Sequence, residues 1–287
     1  MANAESQTRP APPPGAASDW TIPQRWSEYT AAQHAVWDRL YERQVAQLAG
    51  RVAPVFLEGL ERLGMEQPGI PDFERLSARL HKATGWSVVA VPGLVPDDVF
   101  FEHLSQRRFV AGSFIRKPEQ LDYLQEPDIF HDVFGHVPLL AHPVFADYMQ
   151  AYGQGGLRAL GFGAIHKLAR LYWYTVEFGL IRDGKGEELR IYGAGIVSSH
   201  GETRYALDSP EPLRIAFNLP RVLRTRYEID RFQQNYFVID SFDALLRQTL
   251  DTDFGPLYAE LENAPDLDIK VLLPGEHCYG HRAASAG

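Results

Sequence analysis

Two histidines five positions apart, His131 and His136, lie in the segment Pro-Asp-Ile-Phe-His-Asp-Val-Phe-Gly-His-Val-Pro that begins at Pro127. Forty-one residues after the second, Glu177 is the lone carboxylate of the run Leu-Tyr-Trp-Tyr-Thr-Val-Glu-Phe-Gly-Leu. An ionised carboxylate among aromatic side chains is costly unless a cation neutralises it. Two imidazoles and one carboxylate form the facial triad of a mononuclear non-haem iron(II) centre, which leaves positions open for other ligands. Taken singly, each histidine reads as a hydrogen-bonded, half-buried residue and the glutamate as a salt-bridge partner. Taken together they point to a metal. Iron fits better than zinc, because the i, i+4 histidines of a His-Glu-x-x-His zinc site are absent. A zinc hydrolase using the same ligands and an activated water is the competing reading, and a non-catalytic binding protein that keeps the pocket is a third.

The elements that carry these residues must bring them together. On a continuous α-helix, residues five apart differ by about 140° and would not converge on one ion. A helix that starts near Pro127-Asp128 and ends at Gly135 in a left-handed cap would turn His136 back towards His131. Glu177 must then come from a second helix, for which Leu168, Leu171, Tyr172, Val176 and Leu180 supply the spacing. His142 is a rival ligand, but a His-Pro pair at the start of the next helix is better explained as a cap.

Around this centre the sequence reads as mainly α (α+β). Trp26, Tyr29, Trp37, Leu40, Tyr41, Val45 and Leu48 recur at helical spacing, with Gly50 as the expected C-cap. Further helices are expected over 55–63, closed by Gly64, over 73–82, and from Pro96-Asp97-Asp98, where the acidic residues suit the first turn. Short strands are expected from Trp86 to the Pro92-Gly93 pair and over 109–116. No regular strand-helix alternation marks a parallel-sheet enzyme.

A chain of 287 residues, 45% hydrophobic, can bury a substantial core. No internal linker is visible, so a single α-rich catalytic domain over 20–275 is expected, between a disordered segment 1–19 and a flexible tail 276–287. A net charge of -9 argues against nucleic acid. The basic stretches Arg107-Arg108 and 221–226 read as ordinary surface. A single cysteine, Cys278, excludes an intrachain disulfide and points to a reducing compartment. No apolar run is long enough for a membrane span and no signal peptide is evident, so a cytoplasmic protein is expected. Two weaker signals are discounted. Gly193-Ala-Gly195-Ile-Val-Ser198 lacks the third glycine and following acid of a dinucleotide loop, and the segment from His277 to His281 offers only three ligands beside a tail.

The segment from Pro127, the run from Tyr172, and Tyr-Gly-Ala-Gly-Ile-Val-Ser-Ser-His-Gly-Glu from Tyr192 together resemble the pterin-dependent aromatic amino acid hydroxylases. The likeness is strongest to the short bacterial phenylalanine 4-hydroxylases and spans roughly residues 20–270. It implies an α-rich catalytic domain that binds one Fe(II) through His131, His136 and Glu177. A second cofactor, tetrahydrobiopterin or a related tetrahydropterin, is implied with it, and L-phenylalanine and O2 are the implied substrates. Arg116, fifteen residues before the first ligand, matches the arginine that holds the substrate carboxylate, a task suited to a guanidinium fork. Pro127 and Trp173 match residues that wall the ring pocket. Ser198 and Ser199 match serines near the amino acid and the iron ligands. Gly93, Val95 and Phe100 match the loop that cradles the pterin, and Tyr172 matches a tyrosine facing it. Asp132 stands where animal members carry a glutamate near the pterin, and Leu124 where they carry a substrate-contacting threonine. Trp173 and the apolar Val238 favour phenylalanine over tryptophan and tyrosine, the substrates of the alternative hydroxylases in the family. The resemblance, with about 20 residues before the first helix and no heptad helix after Asp268, leads to the expectation of a monomer without a regulatory domain.

Overall fold

The first long helix starts where the sequence offers a reciprocal cap. In the computed structural model, which describes residues 10–122, 124, 126–184, 186 and 188–280, α1 (Ala31–Leu48) opens on Thr30. The Gln33 N–H donates to Thr30 Oγ1 at 3.3 Å and the Thr30 N–H to Gln33 Oε1 at 2.9 Å, which satisfies two exposed donors at once. Next come α2 (Pro54–Leu63), α3 (Phe73–Thr84), β1 (Ser87–Val91), α4 (Asp97–Ser105) and β2 (Arg108–Gly112). Gly64 ends α2 at φ +63°, a left-handed position that suits glycine. A π-helix over Phe130–His136 leads into α5 (Val137–Leu140), α6 (Pro143–Gly161) and α7 (Ile165–Tyr172), and a second π-helix, Trp173–Glu177, continues α7. The remainder is β3 (Gly179–Arg182), β4 (Leu189–Ile191), α8 (Ala194–Val197), α9 (His200–Asp208), β5 (Leu213–Ala216), α10 (Leu219–Arg224), β6 (Asn235–Ile239), α11 (Phe242–Leu250) and α12 (Phe254–Glu262).

The helix-rich fold with a few short strands agrees with the sequence reading, with local differences. Trp26–Glu28 is a separate 3₁₀ turn, and α1 closes on Ala49, one residue before Gly50. The strand expected over 109–116 stops at Gly112, whose N–H goes to Asp132 Oδ2 at 2.7 Å. Pairing is more parallel than the absence of strand-helix alternation suggested. β1 runs parallel to β2, and in the sheet ordered β4-β3-β6-β5 only β3–β4 is antiparallel.

Both chain ends of the described region are tied to the body. Asp19 pairs with Arg108 at 3.0 Å, and its carbonyl faces His103 Nε2 at 2.7 Å. Residues 1–9 and 281–287 of the stretches expected to lack structure lie outside the described residues. Arg221, assigned to ordinary surface from sequence, is buried and bonds Glu276 at 2.8 Å, because that ion pair and the Thr225 hydroxyl take up its donors. The core gathers on the first π-helix: Phe130 stacks on Phe134 with ring centroids 4.6 Å apart, Trp37 of α1 meets Phe130, and Phe56 of α2 meets Phe134. No helix among the described residues is long and apolar enough to cross a membrane.

Candidate metal centre

The convergence of His131 and His136 comes from the π-helix, not from a cap at Gly135. In a π-helix each N–H reaches back five residues, so side chains five apart come near the same face. Phe130 and Phe134 enter the core while the two histidines turn the other way. Gly135 has no left-handed φ. Its missing side chain instead admits α8, since a Cβ there would lie 3.0 Å from the Ala194 carbonyl. The second π-helix does the same service for Glu177, with the Phe178 N–H reaching the Trp173 carbonyl at 2.8 Å. Leu180, counted as helical from sequence, already belongs to β3.

The three candidate ligands meet. His131 Nε2 lies 3.4 Å from His136 Nε2, and Glu177 oxygens lie 3.6 Å and 3.2 Å from those two nitrogens. Three donors on one face of an octahedron, with bonds of about 2.1 Å, would be about 3 Å apart, so small shifts suffice to close the set on an ion. Ser198 sets the tautomer of His131. Its hydroxyl donates to the Ala194 carbonyl at 2.7 Å and therefore accepts from His131 Nδ1 at 2.9 Å, which leaves the Nε2 lone pair directed at Glu177. With both imidazoles neutral and their Nε2 lone pairs turned inward, they and the carboxylate repel unless a cation lies among them, and the donor set fits a divalent first-row metal. Burial opposes ionisation of Glu177, but the facing His136 and His131, where they carry a proton in the ion's absence, and the Gly195 N–H hold its carboxyl below the usual range. Gly193 lets the two strands of the site approach: a Cβ there would be 2.4 Å from the Glu177 carbonyl.

The ligands open into a cavity of about 460 Å³. Of the residues expected to cradle a pterin, Gly93, Val95, Phe100, Asp132 and Tyr172 all line it, as does Pro127. Phe100 and Tyr172 meet edge to face at 5.6 Å. Burial pushes the Asp132 carboxyl up. Leu94, 82% exposed, and Phe114, 40% exposed, stand among the lining residues.

Four residues expected to serve the substrate are not among those lining this cavity. Arg116 is buried and makes a two-pronged pair with Asp128, which leaves both Nη1 hydrogens and the second on Nη2 uncommitted among the described residues. Trp173 is half-buried, stacked on Tyr227 at 4.4 Å. Ser198 holds His131, as described. Ser199 turns its hydroxyl to the Glu202 N–H at 3.3 Å and caps α9. Val238 is buried in β6 beside Leu180. His142 caps α6 through the Phe145 N–H, the structural part expected of it. The sequence places Asp128 at the start of the histidine helix and Glu202 at the end of the Tyr192 motif without a bonding role for either, and it does not single out Gln233. Asp128, an aspartate three residues before a histidine at a helix start, carried a readable capping signal, whereas Gln233 carried none.

Comparison with known proteins agrees with this geometry. Residues 19–252 match the biopterin-dependent aromatic amino acid hydroxylase family. A phenylalanine-4-hydroxylase of Caulobacter vibrioides is 62% identical over 265 residues, covering 92% of this chain and 89% of that protein. The crystal structure of Chromobacterium violaceum phenylalanine hydroxylase with bound oxidised Fe(III) matches with a TM-score of 0.87 at 55% identity, covering 91% of this chain and 94% of that one. The same enzyme with iron(III) and oxidised 7,8-dihydrobiopterin matches with a TM-score of 0.86 at 55% identity, covering 91% and 93%. The chain belongs to the biopterin-dependent aromatic amino acid hydroxylases.

Proposed function

We infer that this chain is a phenylalanine 4-monooxygenase that converts L-phenylalanine and O2 to L-tyrosine with a tetrahydropterin as reductant. The observation that carries the reading is the meeting of His131, His136 and Glu177 at 3.2–3.6 Å at the floor of a cavity lined by aromatic side chains. His131, His136 and Glu177 would hold Fe(II), which with the tetrahydropterin supplies the activation of O2. The protein's own part is orientation and exclusion of water. Gly93, Val95, Phe100, Asp132 and Tyr172 receive the pterin. Arg116 offers Nη1 to the substrate carboxylate, with its fork preset by Asp128. Trp173 and Pro127 wall the aromatic ring. Ser198 keeps the Nδ1 proton on His131, and Ser199 caps the helix beside it.

Action as a monomer is part of the same reading. The single unpaired cysteine, Cys278, supports a cytoplasmic setting. The test is turnover of phenylalanine, tryptophan and tyrosine by iron-loaded protein with tetrahydrobiopterin. Phenylalanine is expected to give the highest kcat/KM; faster tryptophan turnover contradicts the substrate assignment, and activity with zinc in the absence of O2 contradicts the oxygenase itself.

A further inference from the structure

The indole of Trp173 is held on three sides. Tyr227 stacks on it at 4.4 Å, Phe178 packs against it at 4.7 Å, and its Nε1–H donates to Gln233 Oε1 at 2.9 Å. Gln233 is in turn fixed at its remaining donors. Its Nε2 faces the carbonyls of Glu228 and Arg231 at 3.0 Å and 3.4 Å, and its backbone N–H donates to Glu202 Oε1 at 2.9 Å. The same Glu202 oxygen accepts from the Tyr236 hydroxyl at 2.5 Å. Gln233 and Glu202 are each only 4% exposed. A buried glutamine satisfied at both ends of its amide and at its backbone N–H has one orientation open to it. A carboxylate buried against two neutral donors is expensive to keep, and here what it fixes is a loop residue in contact with the substrate wall.

Glu202 also lies on α9, whose first turn is capped by Ser199, immediately after the Ser198 that orients His131. The segment 198–202 therefore reaches the metal ligand at one end and, through Gln233, the indole at the other. Trp173 itself lies four residues before Glu177 in one π-helix. Rotation of that indole would alter the ring pocket without touching any ligand.

We propose that Gln233 is a positioning residue for the aromatic amino acid: it fixes the Trp173 indole beside the metal centre, and Glu202 fixes Gln233. The inference rests on the reading of the chain as a phenylalanine hydroxylase with Trp173 in the ring pocket. Gln233 touches no reacting atom and acts through Trp173. Its loss therefore raises KM for phenylalanine and lowers the tyrosine formed per tetrahydropterin oxidised, while iron binding stays intact.

The experiment is a double-mutant cycle on the iron-loaded enzyme with Gln233→Leu, Trp173→Phe and the double variant, with Gln233→Met as the substitute of similar volume should the leucine variant not fold. Phenylalanine KM, tyrosine per tetrahydropterin oxidised, iron content and Tm are read for each. Gln233→Leu is expected to raise KM about tenfold and to lower the coupling ratio, and to add little once Trp173 is already phenylalanine. Glu202→Ala should behave like Gln233→Leu, and Glu202→Gln, which keeps the acceptor, should restore wild-type values. Additive effects in the double variant overturn the proposal. So does a fall of kcat and Tm together with KM and coupling unchanged, which is what a purely structural residue gives. Wild-type protein that forms no tyrosine overturns the functional reading instead, so the two failures are separable.

Discussion

Arg116 and Asp128 meet through two parallel hydrogen bonds, Nε to Oδ2 and Nη2 to Oδ1, each 2.8 Å long. Asp128 also accepts from the backbone N–H of Arg116 at 2.9 Å and of His131 at 3.1 Å. One fully buried carboxylate thus joins the arginine proposed for the substrate to the start of the helix that carries the two candidate histidine ligands. Burial opposes its ionisation, but the Arg116 guanidinium and the two N–H groups hold the carboxyl below the usual range.

Removing that carboxylate leaves a buried guanidinium without its partner. Asp128→Ala is expected to cost about 3–5 kcal/mol of stability and to raise KM for phenylalanine, while Asp128→Asn, which keeps the shape and one acceptor, should cost less. Urea denaturation and steady-state kinetics check both. An alanine variant as stable as the parent would show that the pair does not organise Arg116.

Ser198 meets the proposed metal site through the ring of His131. Ser198→Ala removes the acceptor for Nδ1–H, and the expected loss is about 10–100-fold in iron affinity, with the fold unchanged by circular dichroism. A competition titration against a coloured chelator reads it directly, and unchanged affinity would mean that the tautomer is set some other way.

Glu202 gives the fold a pH dependence of its own. Burial pushes its carboxyl up from 4.5 to about 7. A raised carboxyl is protonated in the folded protein after the unfolded chain has lost its proton. The associated stability is therefore full below pH 4.5 and is lost as pH rises through about 7. Over that window the loss is about 3 kcal/mol. Glu202→Gln should abolish this slope in denaturation curves taken between those two pH values, and a slope unchanged in the variant would assign it to another group.

What was legible in the sequence was what depends on residue type at fixed spacing. Apolar periodicity located α1, the Pro96-Asp97-Asp98 start located α4, and Gly64 and the Pro92-Gly93 pair ended their elements as turn chemistry requires. The trio His131, His136 and Glu177 was visible because a carboxylate among aromatics demands a partner. The device that unites it was not visible. Periodicity separates helix from strand but not an α-helix from a π-helix, which differ by one residue per hydrogen bond, and the contacts of Phe130 and Phe134 with α1 and α2 are long-range. Partners far apart in sequence were equally hidden. Nothing local marks Gln233 as the acceptor for Trp173, sixty residues away, or Arg221 as the buried partner of Glu276, fifty-five residues away.

The central claim is that His131, His136 and Glu177 hold one iron on which phenylalanine hydroxylation depends, and Glu177→Ala tests it most directly. Metal-free wild-type and variant proteins are supplied with Fe(II), tetrahydrobiopterin, phenylalanine and O2, and bound iron and tyrosine are measured on the same samples. The account predicts about one iron per chain and steady tyrosine formation in the wild type, with both lost in the variant while its fold persists. Full iron content and tyrosine formation in Glu177→Ala would contradict it.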